Sequence, residues 1–517
     1  MQMKLVFALS GILGLAVVQG GEVRLYRTTG TDSFRERDCP LPSNQVGEGA
    51  NVIDLDAATP RHPFLGLGVS FAEASAYLWA KMPEARRRDV MERLWTEKGA
   101  GLSIGRIHMG SSDYSMRFYS YDDTPDDEGL AHFSIDEDRR FVLPAIQAAR
   151  TFNTNLFFFA SPWSPPGWMK TNGTLFGGRV KPAAYPSLAN YFSRFLQAYA
   201  REGIRVAAVT VQNEPETDQG LNSPTCLWSA EDAKTFVVDF LAPTLTRNGL
   251  STQIWAYDHN FDAKGVAYVT HQLSDARFRA VTAAVAWHPY AGSPTNLAPV
   301  CAAFPDVPMY VTEMGPHLDR SQRDLLWWAD LVFGSFNAGC GAFVSWCFLL
   351  DEEGQPNVSM GHPCAGLLEV DSRTGELFES SQFRLFRHIG PFVKRGARVL
   401  AAPLVEGRGR MGAADVRSVA FRNPDGSRVV VLACRAGRYH RRQVQVKADA
   451  RYYPLQVLGG SVTTFVLPPS RPLGSTFLRK MRRWGQGGAR RSASLPWHHP
   501  CGLKPVNVVH YRHGDRT

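Results

Sequence analysis

After its first twenty residues this 517-residue chain has no apolar run approaching the ~20 residues that a bilayer-spanning helix needs. No integral membrane span is therefore predicted, and the mature protein reads as soluble. Metal-ligand spacing is missing too. The eight cysteines (Cys39, Cys226, Cys301, Cys340, Cys347, Cys364, Cys434 and Cys501) are scattered rather than closely paired, no zinc motif forms, and neither a metal nor a cofactor is predicted. The body of the chain also lacks an excess of either charge. Of 57 Lys/Arg and 48 Asp/Glu, ten basic residues and a single acid fall between Arg471 and Thr517, so the whole net charge of +9 sits there and the remainder balances at 47 of each sign. A neutral body has no basic face of the kind a nucleic-acid binder presents, so no nucleic-acid partner is expected. The tail, residues 471–517, is expected to be a disordered extension, with a polyanion-binding or cell-surface tether as the functional alternative.

What is present is an ordinary globular composition, 44% hydrophobic and 20% charged, on a chain too long for one average domain. Lys4 followed by the nearly uncharged run Leu5 to Gln19 and small residues at Gly20 and Gly21 reads as a signal peptide over residues 1–20, which predicts a secreted or extracytoplasmic protein. In that setting some cysteines could pair as disulfides. Oligomeric state is left open.

Between residues 61 and 390, short β-branched or aromatic runs alternate with longer helical stretches, the signature of parallel βα units. Eight strand candidates (Phe64 to Ser70, Leu102 to Ile107, Leu156 to Ala160, Val206 to Gln212, Gln253 to Ala256, Ala283 to Trp287, Met309 to Thr312, Gly341 to Trp346) predict an α/β fold, a (β/α)8 TIM barrel. Leu188, Tyr191, Phe192, Phe195, Leu196 and Tyr199 form a helical core stripe, and Ser229-Ala-Glu-Asp232 reads as a helix start. Past residue 390 the pattern becomes alternating, with an Asp425-Gly426 turn between two strand-like runs, and residues 391–470 are expected to form an appended β-sandwich. The strand-like segments in residues 22–60 are candidates to join it.

A barrel carries its chemistry at the C-terminal ends of its strands. Strand four runs into Gln212-Asn-Glu-Pro215 and strand seven into Thr312-Glu-Met-Gly315, each placing a carboxylate where an apolar strand meets its loop. Paired carboxylates suit glycoside cleavage, in which one protonates the leaving oxygen and the other attacks or activates water. Neighbouring strand ends bring Arg106 to Asp113, Trp163, His288, Tyr290 and Trp346, the mix of rings and polar groups that a sugar, apolar-faced and ringed by hydroxyls, requires.

Taken in order, Phe71-Ala-Glu-Ala-Ser-Ala76, Arg106 through Asp113, Tyr121 through Asp127, Ser161-Pro-Trp-Ser-Pro-Pro166, Gln212-Asn-Glu-Pro215, Trp287-His-Pro-Tyr290 and Thr312-Glu-Met-Gly315 resemble glycoside hydrolase family 30, most similarly its glucosylceramidase branch. The resemblance implies a retaining β-glycosidase with Glu214 as acid/base and Glu313 as nucleophile. It implies that Asn213 binds the 2-hydroxyl, that Arg106 lies beside the nucleophile, that Asp113, Trp163 and Trp346 hold the terminal sugar, and that His288 and Tyr290 form an aromatic wall. Cys347 stands where the glucosylceramidase pattern carries an amide. The leading expectation is hydrolysis of a β-glucoside or glycolipid of the glucosylceramide type. An endo-β-1,6-glucanase is the alternative within the enzyme class, and a carbohydrate-binding surface protein is the non-enzyme alternative.

Overall fold

The computed structural model describes residues 22–30, 34–47, 50–318, 324–358, 364–407 and 413–470. The signal-peptide reading, the basic tail and Cys501 lie outside the described residues. Eight parallel strands close into a barrel: β1 (Gly66–Ser70), β2 (Ile104–Met109), β3 (Phe157–Pro162), β4 (Val206–Thr210), β5 (Gln253–Phe261), β6 (Ala284–Gly292), β7 (Met309–Val311) and β8 (Cys340–Cys347), with Ala342 of β8 paired to Gly66 of β1. Helices wrap the outside. The helix Tyr185–Arg201 buries the stripe expected from its spacing, and Ser229 Oγ accepts from the Asp232 amide to start the helix Ala230–Thr235.

Inside the barrel the side-chain period of two stacks layers with different chemistry. The lower layer is apolar: Ile104, Phe159, Ala208, Trp255, Ala286, Ala342 and Val344 share one core. Trp255 fills most of it, 5.0 Å from the Phe159 ring and 4.8 Å from Tyr310, and the alanines opposite leave the room. Two residues further along β2, β3, β4 and β6 the inward positions turn polar: Arg106, Ser161, Thr210 and His288, each buried. This polar layer is the floor of the site.

A seven-stranded and a four-stranded sheet form the appended domain. Arg428–Cys434, at the centre of the larger sheet, is buried on both faces: Val429, Val431 and Ala433 belong to the core shared with the barrel, Val430, Leu432 and Cys434 to the core between the sheets. N-terminal strands complete both sheets. Arg24–Thr28 pairs with Ser461–Leu467, and Asn51–Asp54 lies parallel to Arg441–Ala448. Phe64 at the barrel entry, Phe336 and Phe421 meet with ring centroids 5.4–5.7 Å apart, tying the two domains. The seven described cysteines form no disulfides with one another.

His388 is a second tie between the domains. Its Nδ1 lies 2.8 Å from Thr464 Oγ1 and its Nε2 2.8 Å from Thr28 Oγ1. Thr464 gives its one hydroxyl proton to the His388 carbonyl, so Nδ1 donates to Thr464. In the neutral ring Nε2 then accepts from the Thr28 hydroxyl. Burial, then the Arg387 and Arg384 cations, hold His388 down at about 3. A histidine depressed in the fold contributes stability that is complete above its unfolded value near 6.5 and is lost as pH falls from there towards 3. Lowering pH from 6.5 to 4.5 should therefore destabilise the wild type by roughly 2–3 kcal/mol more than His388→Gln. Thermal melts across that range check it, and parallel curves for the two proteins would refute it.

Candidate active site

The polar floor is organised around one residue that the strand pattern did not single out. Asp258 on β5 is fully buried and accepts from Arg106 Nη2 (3.0 Å), Ser161 Oγ (2.7 Å), Thr210 Oγ1 (2.7 Å), Thr312 Oγ1 (2.6 Å) and His288 Nε2 (3.0 Å). It therefore ties together β2, β3, β4, β6 and the segment after β7. A local irregularity puts it there. Tyr257 and Asp258 both have positive φ, 72° and 85°, and the β5–β6 pairing passes from Tyr257 to His259, skipping Asp258. The bulge breaks the alternation and turns Asp258 inward. Burial alone would raise this carboxyl, but the Arg106 cation and the His288 hydrogen bond hold it well below the usual carboxylate range.

Arg106 carries the charge to the next shelf. Besides Asp258 it donates to Glu313 Oε2 through Nη1 and to Asn213 Oδ1 at 2.8 Å, and the Trp163 ring centroid lies 4.8 Å from its guanidinium. Glu313 follows β7, clamped on either side by the backbone bonds from Thr312 to Trp287 (2.9 Å) and from Met314 to Val344 (3.0 Å). Its other oxygen accepts from the Tyr290 hydroxyl at 2.9 Å. Glu214, following β4, has φ 48° and donates its amide to the Asp258 carbonyl at 3.0 Å. Non-glycine residues rarely take this conformation, and the cross-strand bond holds it. His288 Nδ1 lies 3.1 Å from Glu214 Oε1 and 4.0 Å from Glu313 Oε1.

One oxygen each of Glu214 and Glu313, with one nitrogen of His288, all lie within 4.8 Å of one another. Carboxylates this close suit direct attack on a sugar carbon; an inverting pair stands roughly 6.5–9.5 Å apart to seat a water. The same three residues are the candidate cation ligands among the described residues. Both His288 nitrogens, however, are already committed to carboxylates, so the cluster suits a proton rather than a metal.

The two glutamates open onto a cavity of about 380 Å³, within the usual range of ligand sites. Of the residues singled out in sequence, Glu214, Glu313, Asp113, Tyr290 and Trp346 line it. Arg106, His288, Asn213 and Trp163 are buried beside it: Arg106 bonds Glu313 and Asn213, His288 bonds Glu214, and Trp163 packs on Trp346. Trp163 stacks 5.3 Å from Trp346, with His108 packed 4.3 Å from Trp163. Gly315 lets Trp346 approach: a Cβ there would stand 2.6 Å from the Trp346 Cβ. Burial beside Glu313 pushes Asp113 up to about 8. Sequence reasoning missed Asp258 and also Thr217, Gln219, His259 and Asn260, which form the cavity wall beyond Glu214. Asp258-His-Asn260 ends β5 as Asn213-Glu ends β4, so a polar cluster at that strand end was the available signal.

A closed βα barrel with two close carboxylates at the ends of its fourth and seventh strands, over a pocket of rings and polar groups, defines a barrel glycosidase. The chain belongs to glycosyl hydrolase family 30: its TIM-barrel model matches residues 64–361 and its beta-sandwich model residues 407–465. It is 31% identical to an endo-1,6-beta-D-glucanase of Neurospora crassa over 81% of this chain and 88% of that one. It is 26% identical to the lysosomal acid glucosylceramidase of Mus musculus over 77% and 79% respectively. Among solved structures, an endo-beta1,6-glucanase superposes with a TM-score of 0.78 at 27% identity, covering 87% of this chain and all of the other.

Proposed function

We propose that the protein is an exported retaining β-glucanase that cleaves β-1,6-linked glucose chains, with Glu313 as nucleophile and Glu214 as acid/base. Glu313 attacks the anomeric carbon while Glu214 protonates the departing oxygen. Glu214 then takes a proton from the water that releases the sugar from Glu313. The proximity of the two carboxylates and the bond from Arg106 Nη1 to Glu313 Oε2 support these roles.

The substrate reading departs from the glucosylceramide-type expectation. The observation that carries it is the wall beyond Glu214, where the leaving group must sit because Glu214 protonates it. Thr217, Gln219, His259 and Asn260 present a hydroxyl, two amides and an imidazole there. Such groups match the hydroxyls of a second sugar better than the two hydrocarbon chains of a ceramide. The greater identity to the Neurospora glucanase than to the mouse glucosylceramidase points the same way. Assayed side by side, β-1,6-glucan should be turned over with a kcat/KM at least about tenfold above that on glucosylceramide, a preference of roughly 1.4 kcal/mol. A reversed preference would return the glycolipid reading. Export rests on the apolar run after Lys4, and N-terminal sequencing of protein recovered from the medium, starting near Gly21, is its check.

A further inference from the structure

Behind Glu214 lies a chain of three groups that the mechanism above leaves unused: Asp258 Oδ1, the His288 ring and Glu214 Oε1, with contacts of 3.0 and 3.1 Å. His288 is wholly buried, and each of its nitrogens faces a carboxylate oxygen. Asp258 is ionised and only accepts, and Glu214 Oε1 accepts both when Glu214 is ionised and when its proton, destined for the leaving oxygen, is on Oε2, so a neutral ring would set a lone pair against one of them. With both nitrogens protonated, the two contacts are satisfied. The groups facing the ring are Asp258 and His259 on β5, Glu214 after β4, Tyr290 on β6 and Glu313 after β7, with Arg106 on the far side of Asp258.

We infer that His288 is a positioning residue held as an imidazolium by Asp258, and that it is the shared counter-charge of Glu214 and Glu313 through the reaction cycle. The inference rests on the acid/base and nucleophile roles proposed above. Before attack, Glu313 is the anion and Glu214 holds its proton. As the Glu313 oxygen bonds to the anomeric carbon and the glycosidic C–O bond breaks, Glu313 loses its charge into the ester. The proton passes from Glu214 to the departing oxygen, and Glu214 becomes the anion. Nδ1, 3.1 Å from Glu214 Oε1 and 4.0 Å from Glu313 Oε1, faces whichever of the two is charged. In the second half water loses its proton to Glu214, its oxygen replaces Glu313 at the carbon, and the negative charge returns to Glu313. The cation thus sits beside the negative charge at both ends of its path without moving. Burial alone would lower His288, but the Glu313 charge and the bonds to Asp258 and Glu214 push it up to about 9, in keeping with this role.

The sign of the effect is fixed. Burial alone would raise the Glu214 carboxyl, but the bond and charge of His288 lower it, so their removal raises it. In His288→Gln, which keeps an amide donor, the basic limb of the kcat/KM bell on β-1,6-gluco-oligosaccharides should move to higher pH by about one unit or more. A basic limb that stays in place while kcat falls would reduce His288 to packing and overturn the inference, as would a shift to lower pH. Should the variant not fold, wild-type protein with 15N-labelled histidine rings decides the matter. An imidazolium with both nitrogens protonated should persist at pH 8, where ordinary histidines are neutral; finding every ring neutral there would overturn the inference. Trapping with an activated 2-fluoro-β-glucoside and mapping the labelled peptide tests the underlying roles separately. A label away from Glu313 would defeat those roles and leave the NMR result standing.

Discussion

Glu313→Gln should lose at least about 10⁴-fold in kcat on an aryl β-glucoside, some 5 kcal/mol of barrier, and should show no burst of released phenol. The substitution is nearly isosteric. The amide oxygen can still accept from Arg106 Nη1 while the amide NH2 donates to the Tyr290 hydroxyl oxygen, and Arg106 keeps Asp258 and Asn213 as partners. What goes is the charge that attacks carbon, so binding of a substrate analogue should survive while turnover does not. Equal thermal melts of the two proteins would establish that the loss is chemical. Turnover within tenfold of the wild type would mean that another group forms the covalent bond.

The second large effect depends on the leaving group. Glu214→Gly removes the proton donor without strain, because glycine accepts the positive φ that Glu214 holds at 48°. On β-1,6-gluco-oligosaccharides, whose alkoxide departs only with a proton, kcat/KM should fall by about 10²–10⁴-fold. On 2,4-dinitrophenyl β-glucoside, whose phenolate leaves unaided, kcat/KM should hold within roughly tenfold while kcat becomes limited by the unassisted water step. Added azide, which needs no base, should then restore kcat and give β-glucosyl azide. An α-configured product, or an equal loss on both substrates, would remove Glu214 from the acid/base role.

Much of this site could be read before any coordinates. Glu214 and Glu313 are each preceded by an apolar strand and followed by a turn residue, Pro215 or Met314-Gly315, so their place at the barrel mouth follows from local pattern alone. The stripe on Tyr185–Arg201 and the Asp425-Gly426 turn were legible for the same reason: each depends on residues close together in sequence. Arg106 was read as lying beside the nucleophile, where it stands, and His288 as part of an aromatic wall. Their depth was not legible, because both sit at polar strand-end positions where the pattern reads the same whether a side chain reaches the cavity or stops in the layer below. Asp258 was missed outright, since extending the alternation from Trp255 puts Tyr257 inward and Asp258 outward.

The sequence by itself determined the parallel βα architecture, the appended β domain and the strand ends that carry the two carboxylates. These follow from side-chain periodicity and from where apolar runs stop, both local properties of the chain. Only the tertiary structure decided that Asp258 turns inward to join Arg106 and His288, and that Thr217, Gln219, His259 and Asn260 form one polar wall beyond Glu214. The first depends on a bulge set by pairing with a neighbouring strand, the second on the loop after β4 meeting the end of β5 in space. Neither leaves a periodic trace in the residues themselves.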